Sequence, residues 1–225
     1  MNSNLPGMTW QSLASLPDWL NAQWTPIGIP SNELALLKKL ALPPIKPEFV
    51  DDAKAEIASL IKGETALPSS ECRAEGQPRL GWYPYPLQFI YGAGNVMIQE
   101  AFQVRAISVA GGTHSAQLRD PNALVGLPVN GDVKGHWDGE TLVVDTVSVR
   151  EDINTFYGIP NDPDLHVVER YRLVNKNTLE RETTVTAPLY FSKPWVYRVT
   201  YKRGPAGSLA STFCEPKGGW FSATE

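Results

Sequence analysis

The residues of this chain best suited to moving protons are its three histidines, His114, His136 and His166, and the carboxylates set inside apolar strand patterns. Side chains on a strand alternate between two faces. From Leu165 to Val174, one face carries Leu165, Val167, Glu169, Tyr171 and Leu173, and the other carries His166, Val168, Arg170 and Arg172. Glu100 shares a face with Val96, Ile98 and Phe102, and Asp145 with Val143, Val147 and Val149. Burial raises a carboxylate's pKa and can turn it into a general acid or base near neutral pH. The competing reading is structural: each carboxylate pairs with an interior arginine such as Arg105, which shares a face with Ile107 and Val109.

The acid–base centre expected from this pattern is His166 with Glu169, with Asp145 and Glu100 as orienting or proton-holding partners. Arg105 would bind an oxyanion or a substrate carboxylate through its fixed fork of donors. Tyr85, His136 and Trp137 would line the pocket, and His114, in the Gly-rich loop after the third strand, would stand at its mouth. Strict alternation separates His166 from Glu169, so the two act together only if a bulge re-aims one of them. No two histidines lie within reach along one element, so spacing gives no zinc or iron site, and neither a metal nor an organic cofactor is expected. The chain holds no G-x-S-x-G elbow and no P-loop, and Gly92-Ala93-Gly94 leads from one strand straight into another, as a turn.

The elements that must position these residues are mostly strands. Eight are predicted: Leu87 to Tyr91, Asn95 to Phe102, Val104 to Val109, Asp132 to Trp137, Thr141 to Val149, Leu165 to Val174, Thr178 to Thr186 and Trp195 to Lys202. Asp138-Gly139 between two of them is a strong hairpin signal, because Gly accepts the positive φ of a tight turn. Short links favour antiparallel neighbours, since a parallel crossover needs a dozen or more residues. The expectation is a mainly β fold, an eight-stranded antiparallel up-and-down barrel of lipocalin-like type, with a two-sheet sandwich as the alternative. Ahead of it, residues 1–75 read as a helical extension packed on the barrel domain of residues 76–225. Thr9 to Ala22 has helical spacing interrupted by Pro17, Glu33 to Leu40 follows a candidate N-cap at Ser31, and Pro47 to Lys62 ends at Gly63.

Composition sets the remaining bounds. A net charge of −4 leaves no basic footprint, so nucleic acid is not an expected partner. Seven Trp and eight Tyr suit either the interior of a β domain or a pocket for an apolar, aromatic or terpenoid ligand. No apolar run approaches a transmembrane span, and the start MNSNLPGMTWQSL lacks a signal-peptide pattern, so a cytoplasmic protein without a membrane partner is expected, with a homodimer as one option. In that compartment Cys72 and Cys214 would be free thiols.

The segments GHWDGETLVVDT and LHVVERYRLVNKNTLE, with YPYPLQFIY, NVMIQEAFQVRAI, GGTHS and YFSKPW in order around them, resemble a large bacterial family. Its members read G-x-W-E-G-D-T-L-V-V-D-T and L-H-V-x-E-R-[FY]-R. The resemblance covers about residues 68 to 215; here Asp138 and Glu140 exchange the acidic pair of the turn, and Val-Ser-Val follows Asp145-Thr146. Many members start with an export signal, which this chain does not show. The resemblance supports the fold and carries no reaction with it. The functional expectation therefore rests on the residues: a cofactor-independent lyase or isomerase acting on a small, largely apolar substrate in the barrel interior, or a lipocalin-like carrier in which the same groups only orient a ligand.

Overall fold

The computed structural model describes residues 22–30, 32–83, 85–92, 94–100, 103–115 and 128–205, and the backbone of residues 212–215 and 219–222. Its centre is a closed β-barrel of nine strands. These are β1 (Trp24–Ile27), β2 (Leu87–Gly92), β3 (Asn95–Glu100), β4 (Gln103–Ser108), β5 (Asp132–Asp138), β6 (Thr141–Val147), β7 (His166–Asn175), β8 (Thr178–Thr186) and β9 (Trp195–Arg203). The eight strands expected from alternation are all present, within a few residues of their expected ends. Two features differ from a purely antiparallel eight-stranded barrel. The strand β1 comes from the N-terminal segment and closes the ring, pairing Trp24 with Arg203 and Ile27 with Thr200 on β9. It escaped the strand pattern because it is four residues long and contains Pro26. In addition, β4 and β5 are parallel, meeting at Ser108 and Lys134. The long connection between them supplies the crossover length that a parallel neighbour requires.

The helices are shorter than their sequence patterns. Helix α1 (Glu33–Leu37) is capped by Asn32, whose Oδ1 accepts from Ala35 N at 2.8 Å, in place of the expected Ser31. A 3₁₀ turn at Pro47–Phe49 leads into α2 (Val50–Lys62), which stops at Gly63 in the left-handed region, φ 76°. The expected helical stretch from Thr9 to Ala22 lies outside the described residues, Ala22 excepted. A short hairpin, β10 (Thr212–Glu215) and β11 (Gly219–Ser222), follows the barrel.

Two apolar cores result. One fills the barrel, with Trp24, Phe89, Ile98, Leu142, Tyr171 and Tyr201 among its members. The other lies between the helices and one end of the barrel, where Leu36, Ala53 and Leu60 meet Trp82, Phe156 and Phe191. Its aromatic side chains are in edge and tilted contacts, with Trp82 and Trp195 centroids 4.9 Å apart.

Candidate functional site

The barrel interior holds Glu100, Arg105 and Glu169, as alternation predicts, but it holds them locked together. Arg105 donates to both Glu169 oxygens, at 2.6 and 3.1 Å, and to the Tyr171 hydroxyl at 3.0 Å. Arg181 donates to Glu100 Oε1 at 2.6 Å and to the carbonyl oxygen of Gly81. Burial pushes the Glu169 carboxyl up, and the charge and hydrogen bonds of Arg105, the charge of Arg181 and the hydrogen bond from Tyr171 outweigh it and hold the pKa below its ordinary value. A carboxylate held in its ionised form by a fixed bidentate arginine is a poor proton carrier near neutrality. The structural reading of these carboxylates is the one the geometry supports.

His166 stands on the other face of β7, outside the barrel. The only irregularity between β7 and β8 falls between Leu173 and Asn175, so no bulge brings His166 round to Glu169. Its partner is Asp145: His166 Nε2 and His114 Nε2 approach the same oxygen, Asp145 Oδ1, at 3.0 and 2.9 Å. His114 Nδ1 in turn lies 3.2 Å from Asp132 Oδ2, which accepts the Ser115 N–H at 2.6 Å. Three of the expected site residues, His114, Asp145 and His166, therefore do meet, but on the outer surface and without Glu169, Glu100 or Arg105. Among the described residues no group of three or more His, Cys, Asp and Glu side chains is arranged to hold a metal ion. His136 is exposed on β5, and the half-buried Trp137 stacks on Tyr91 with centroids 6.5 Å apart.

A different constellation adjoins a cavity of about 440 Å³ bounded by α2, by residues 66–79 and by the loop from Arg150 to Tyr157. Glu75 and Arg79 are among its lining residues and are 2% and 6% exposed. Arg79 Nη2 is 3.1 Å from Glu75 Oε2 and 3.1 Å from the Tyr83 hydroxyl, and its guanidinium lies over the Tyr157 ring, 4.5 Å from the centroid. Behind them Glu33, brought in by α1, accepts from Tyr83 at 2.5 Å, Ser69 at 2.7 Å and Tyr157 at 3.3 Å. Tyr85, the one residue of this group expected from sequence, stacks on Tyr83 with centroids 5.4 Å apart.

Two glycines let these segments approach. Gly76 has φ +60°, and a Cβ there would stand 2.7 Å from both Ile153 Cγ2 and the Val129 carbonyl oxygen. Gly158, at φ +67°, brings the Tyr157 loop so close to α2 that a Cβ would meet the Asp52 carbonyl oxygen at 2.5 Å. The chain immediately after Gly76 turns into a 3₁₀ helix, Arg79–Trp82, which sets Arg79 beside Glu75.

The electrostatics of Glu75 differ from those of Glu169. Burial raises its pKa, Arg79 opposes the rise, and the nearby Glu33 carboxyl adds to it; smaller lowering effects come from Tyr83 and Arg73, and the result is a pKa of about 7. Burial likewise pushes Tyr157 up to about 12 and Tyr83 well above its ordinary value, so both hydroxyls stay protonated. Neither Glu75 oxygen nor Arg79 Nε has a well-formed hydrogen bond among the described residues. A buried carboxyl poised near neutrality, beside a permanent cation and a cavity, is equipped to take up and return a proton.

Sequence reasoning missed Glu75, Arg79, Glu33, Tyr83 and Tyr157. The available signal was Glu75 and Arg79 four residues apart in a Gly- and Pro-containing loop just before Tyr83-Pro84-Tyr85. Charged residues concentrated in a loop on a rigid scaffold are a functional hint.

Cys72, also at the cavity wall, is disulfide-bonded, where free thiols are expected for a cytoplasmic chain. The sequence contains one other cysteine, Cys214. No helix among the described residues is long and apolar enough to cross a membrane.

No protein-family model, no curated protein and no solved structure matches this chain.

Proposed function

We propose that this protein is a cofactor-independent lyase or isomerase whose proton-transfer group is Glu75, acting on a small molecule held in the cavity it lines. The observation that carries this reading is a buried carboxyl, Glu75, 3.1 Å from the Arg79 guanidinium at a cavity both residues line; burial raises its pKa to about 7. At neutral pH such a group is present in both forms, so it can act as base and then as acid within one turnover. Arg79 beside it can hold an oxygen that gains negative charge. The barrel-interior location expected from the sequence gives way to this cavity because Arg105 and Arg181 already occupy Glu169 and Glu100. The lining includes Glu56, Arg73, Arg150, Asp152 and Asn154, which suits a polar substrate better than a terpenoid one.

The test is incubation of the protein with a panel of small metabolites, read by mass spectrometry and nuclear magnetic resonance, for wild type and Glu75→Gln. Conversion that falls about 10²-fold or more in the variant supports the reading. A compound that binds in the cavity and is recovered unchanged at every pH supports the carrier alternative. Conversion unaffected by Glu75→Gln ends the proposal.

A second reading rests on His114, Asp145 and His166, because both imidazoles share one carboxylate oxygen at a half-exposed position. Turnover lost in His114→Gln and His166→Gln, and retained in Glu75→Gln, would transfer the assignment to that site. As to location, the disulfide at Cys72 favours an oxidising compartment over the cytoplasm.

A further inference from the structure

Glu75 and Arg79 are paired with each other, and each keeps a buried polar atom without a hydrogen bond among the described residues. Arg79 uses Nη2 on Tyr83 and Glu75, while its buried Nε has no hydrogen-bond acceptor among the described residues. Glu75 has two buried oxygens without well-formed hydrogen bonds, and one of them is 3.1 Å from the guanidinium. Buried polar atoms of this kind carry a desolvation cost until a partner arrives. Glu75 and Arg79 both line one cavity, so a single small molecule entering beside them can engage both side chains. That molecule must offer an acceptor oxygen to the guanidinium and, on an atom two bonds from that oxygen, a proton that the carboxylate can take.

Resting on the reading of Glu75 as the proton-transfer group, we infer that the cavity takes small enolisable carbonyl compounds, with the carbonyl oxygen on Arg79 and the adjacent C–H facing Glu75. The step balances within the site. Glu75 takes the proton from the α-carbon, the C–H electron pair forms the new C=C bond, and the carbonyl π pair moves to oxygen, where the negative charge faces Arg79. Return of the proton to carbon from Glu75 completes an isomerisation or a racemisation. Departure of a β-substituent, protonated by the same carboxyl, completes an elimination. Neither route needs an oxidant, a reductant or a co-reactant. A permanent guanidinium suits the developing enolate, because its charge persists through the whole step. The charged and titratable groups around Glu75 are Arg73, Arg79 and Tyr83 from its own segment, Tyr85 after it, Glu33 from α1 and Tyr157 from the opposing loop.

The experiment requires no knowledge of the natural substrate. Cyclohexanone in D₂O is mixed with the full-length protein, and loss of its α-proton signal is followed by nuclear magnetic resonance against equal concentrations of Glu75→Gln. The expected result is protein-dependent exchange that falls at least about 10²-fold in the variant. It should also rise with pH through a single ionisation near 7 and then level off. Exchange that simply tracks hydroxide, or that is equal in both proteins, overturns the inference. If Glu75→Gln does not fold, the wild-type pH profile decides alone: a plateau supports the inference and a hydroxide slope overturns it. Glu75-dependent conversion of non-carbonyl compounds in the metabolite panel, with no ketone exchange, would sink the carbonyl assignment and leave the acid–base reading standing. Silence in both assays removes both.

Discussion

Replacing Glu75 by Gln should alter the pH dependence of stability in a way that a merely structural carboxylate would not. The folded protein holds the Glu75 proton up to about 7, against 4.5 for an ordinary glutamate side chain. Below the unfolded pKa both states are protonated, and the group costs nothing in either. As pH rises from 4.5 to 7 the unfolded chain loses its proton first, so the folded state is progressively disfavoured. Above pH 7 the full cost has been reached. A span of about 2.5 pH units, from 4.5 to about 7, at about 1.4 kcal/mol each, corresponds to about 3–4 kcal/mol in full, of which about 3 kcal/mol develops between pH 4.5 and 8. The Gln variant lacks this ionisation, whatever constant offset it acquires from losing the partner of Arg79. The difference in stability, variant minus wild type, should therefore widen by about 3 kcal/mol between pH 4.5 and pH 8. For a chain of this size that is a relative gain in Tm of roughly 6–12 °C. Thermal or urea denaturation followed by circular dichroism at several pH values measures it. A difference independent of pH would refute the raised pKa. A gap that narrows as pH rises would show that Glu75 is a stabilising ion-pair member like Glu169.

The barrel carboxylates should behave in the opposite sense. Glu169→Gln or Arg105→Met leaves one buried charge without its partner and is expected to cost about 3–5 kcal/mol, read as a lower denaturation midpoint, with any lost turnover explained by unfolding. His166→Gln breaks a pair whose partners are 42% and 37% exposed, so stability should change by less than about 1 kcal/mol. Gly158→Ala should destabilise the protein and weaken ligand binding in the cavity, because the added Cβ strikes the Asp52 carbonyl at a positive φ; calorimetry on a bound ketone checks the second effect. Alkylation of the denatured, unreduced protein followed by mass spectrometry should find Cys72 unmodified.

The fold was legible where side-chain alternation is long and uninterrupted. The stretch from Thr178 to Thr186 alternates over its whole length and was bounded correctly, and the faces of β3 and β7 correctly placed Glu100 and Glu169 inside. Alternation says nothing about strand order, so the parallel contact of β4 with β5 was invisible, and Pro26 hid β1. The same limit applies to the site. A strand pattern can show that Glu169 is buried, but whether it is paired depends on Arg105, 64 residues away. Glu75 stands in a segment without periodicity, and its environment is assembled from Glu33, Arg79 and Tyr157, which only the fold of α1 and the Tyr157 loop brings together. Sequence spacing showed that Glu100 and Glu169 are buried; that Arg181 and Arg105 pair with them is a product of the fold.

The central claim is that Glu75 titrates near neutrality, and the most direct measurement is its carboxyl carbon resonance followed through a pH titration. Protein labelled with ¹³C at the glutamate side-chain carboxyls, with the Glu75 signal assigned by its absence from Glu75→Gln, gives the value without any substrate. The account predicts a midpoint of about 7. A midpoint in the ordinary glutamate range near 4.5 would contradict it and remove the acid–base role from this cavity.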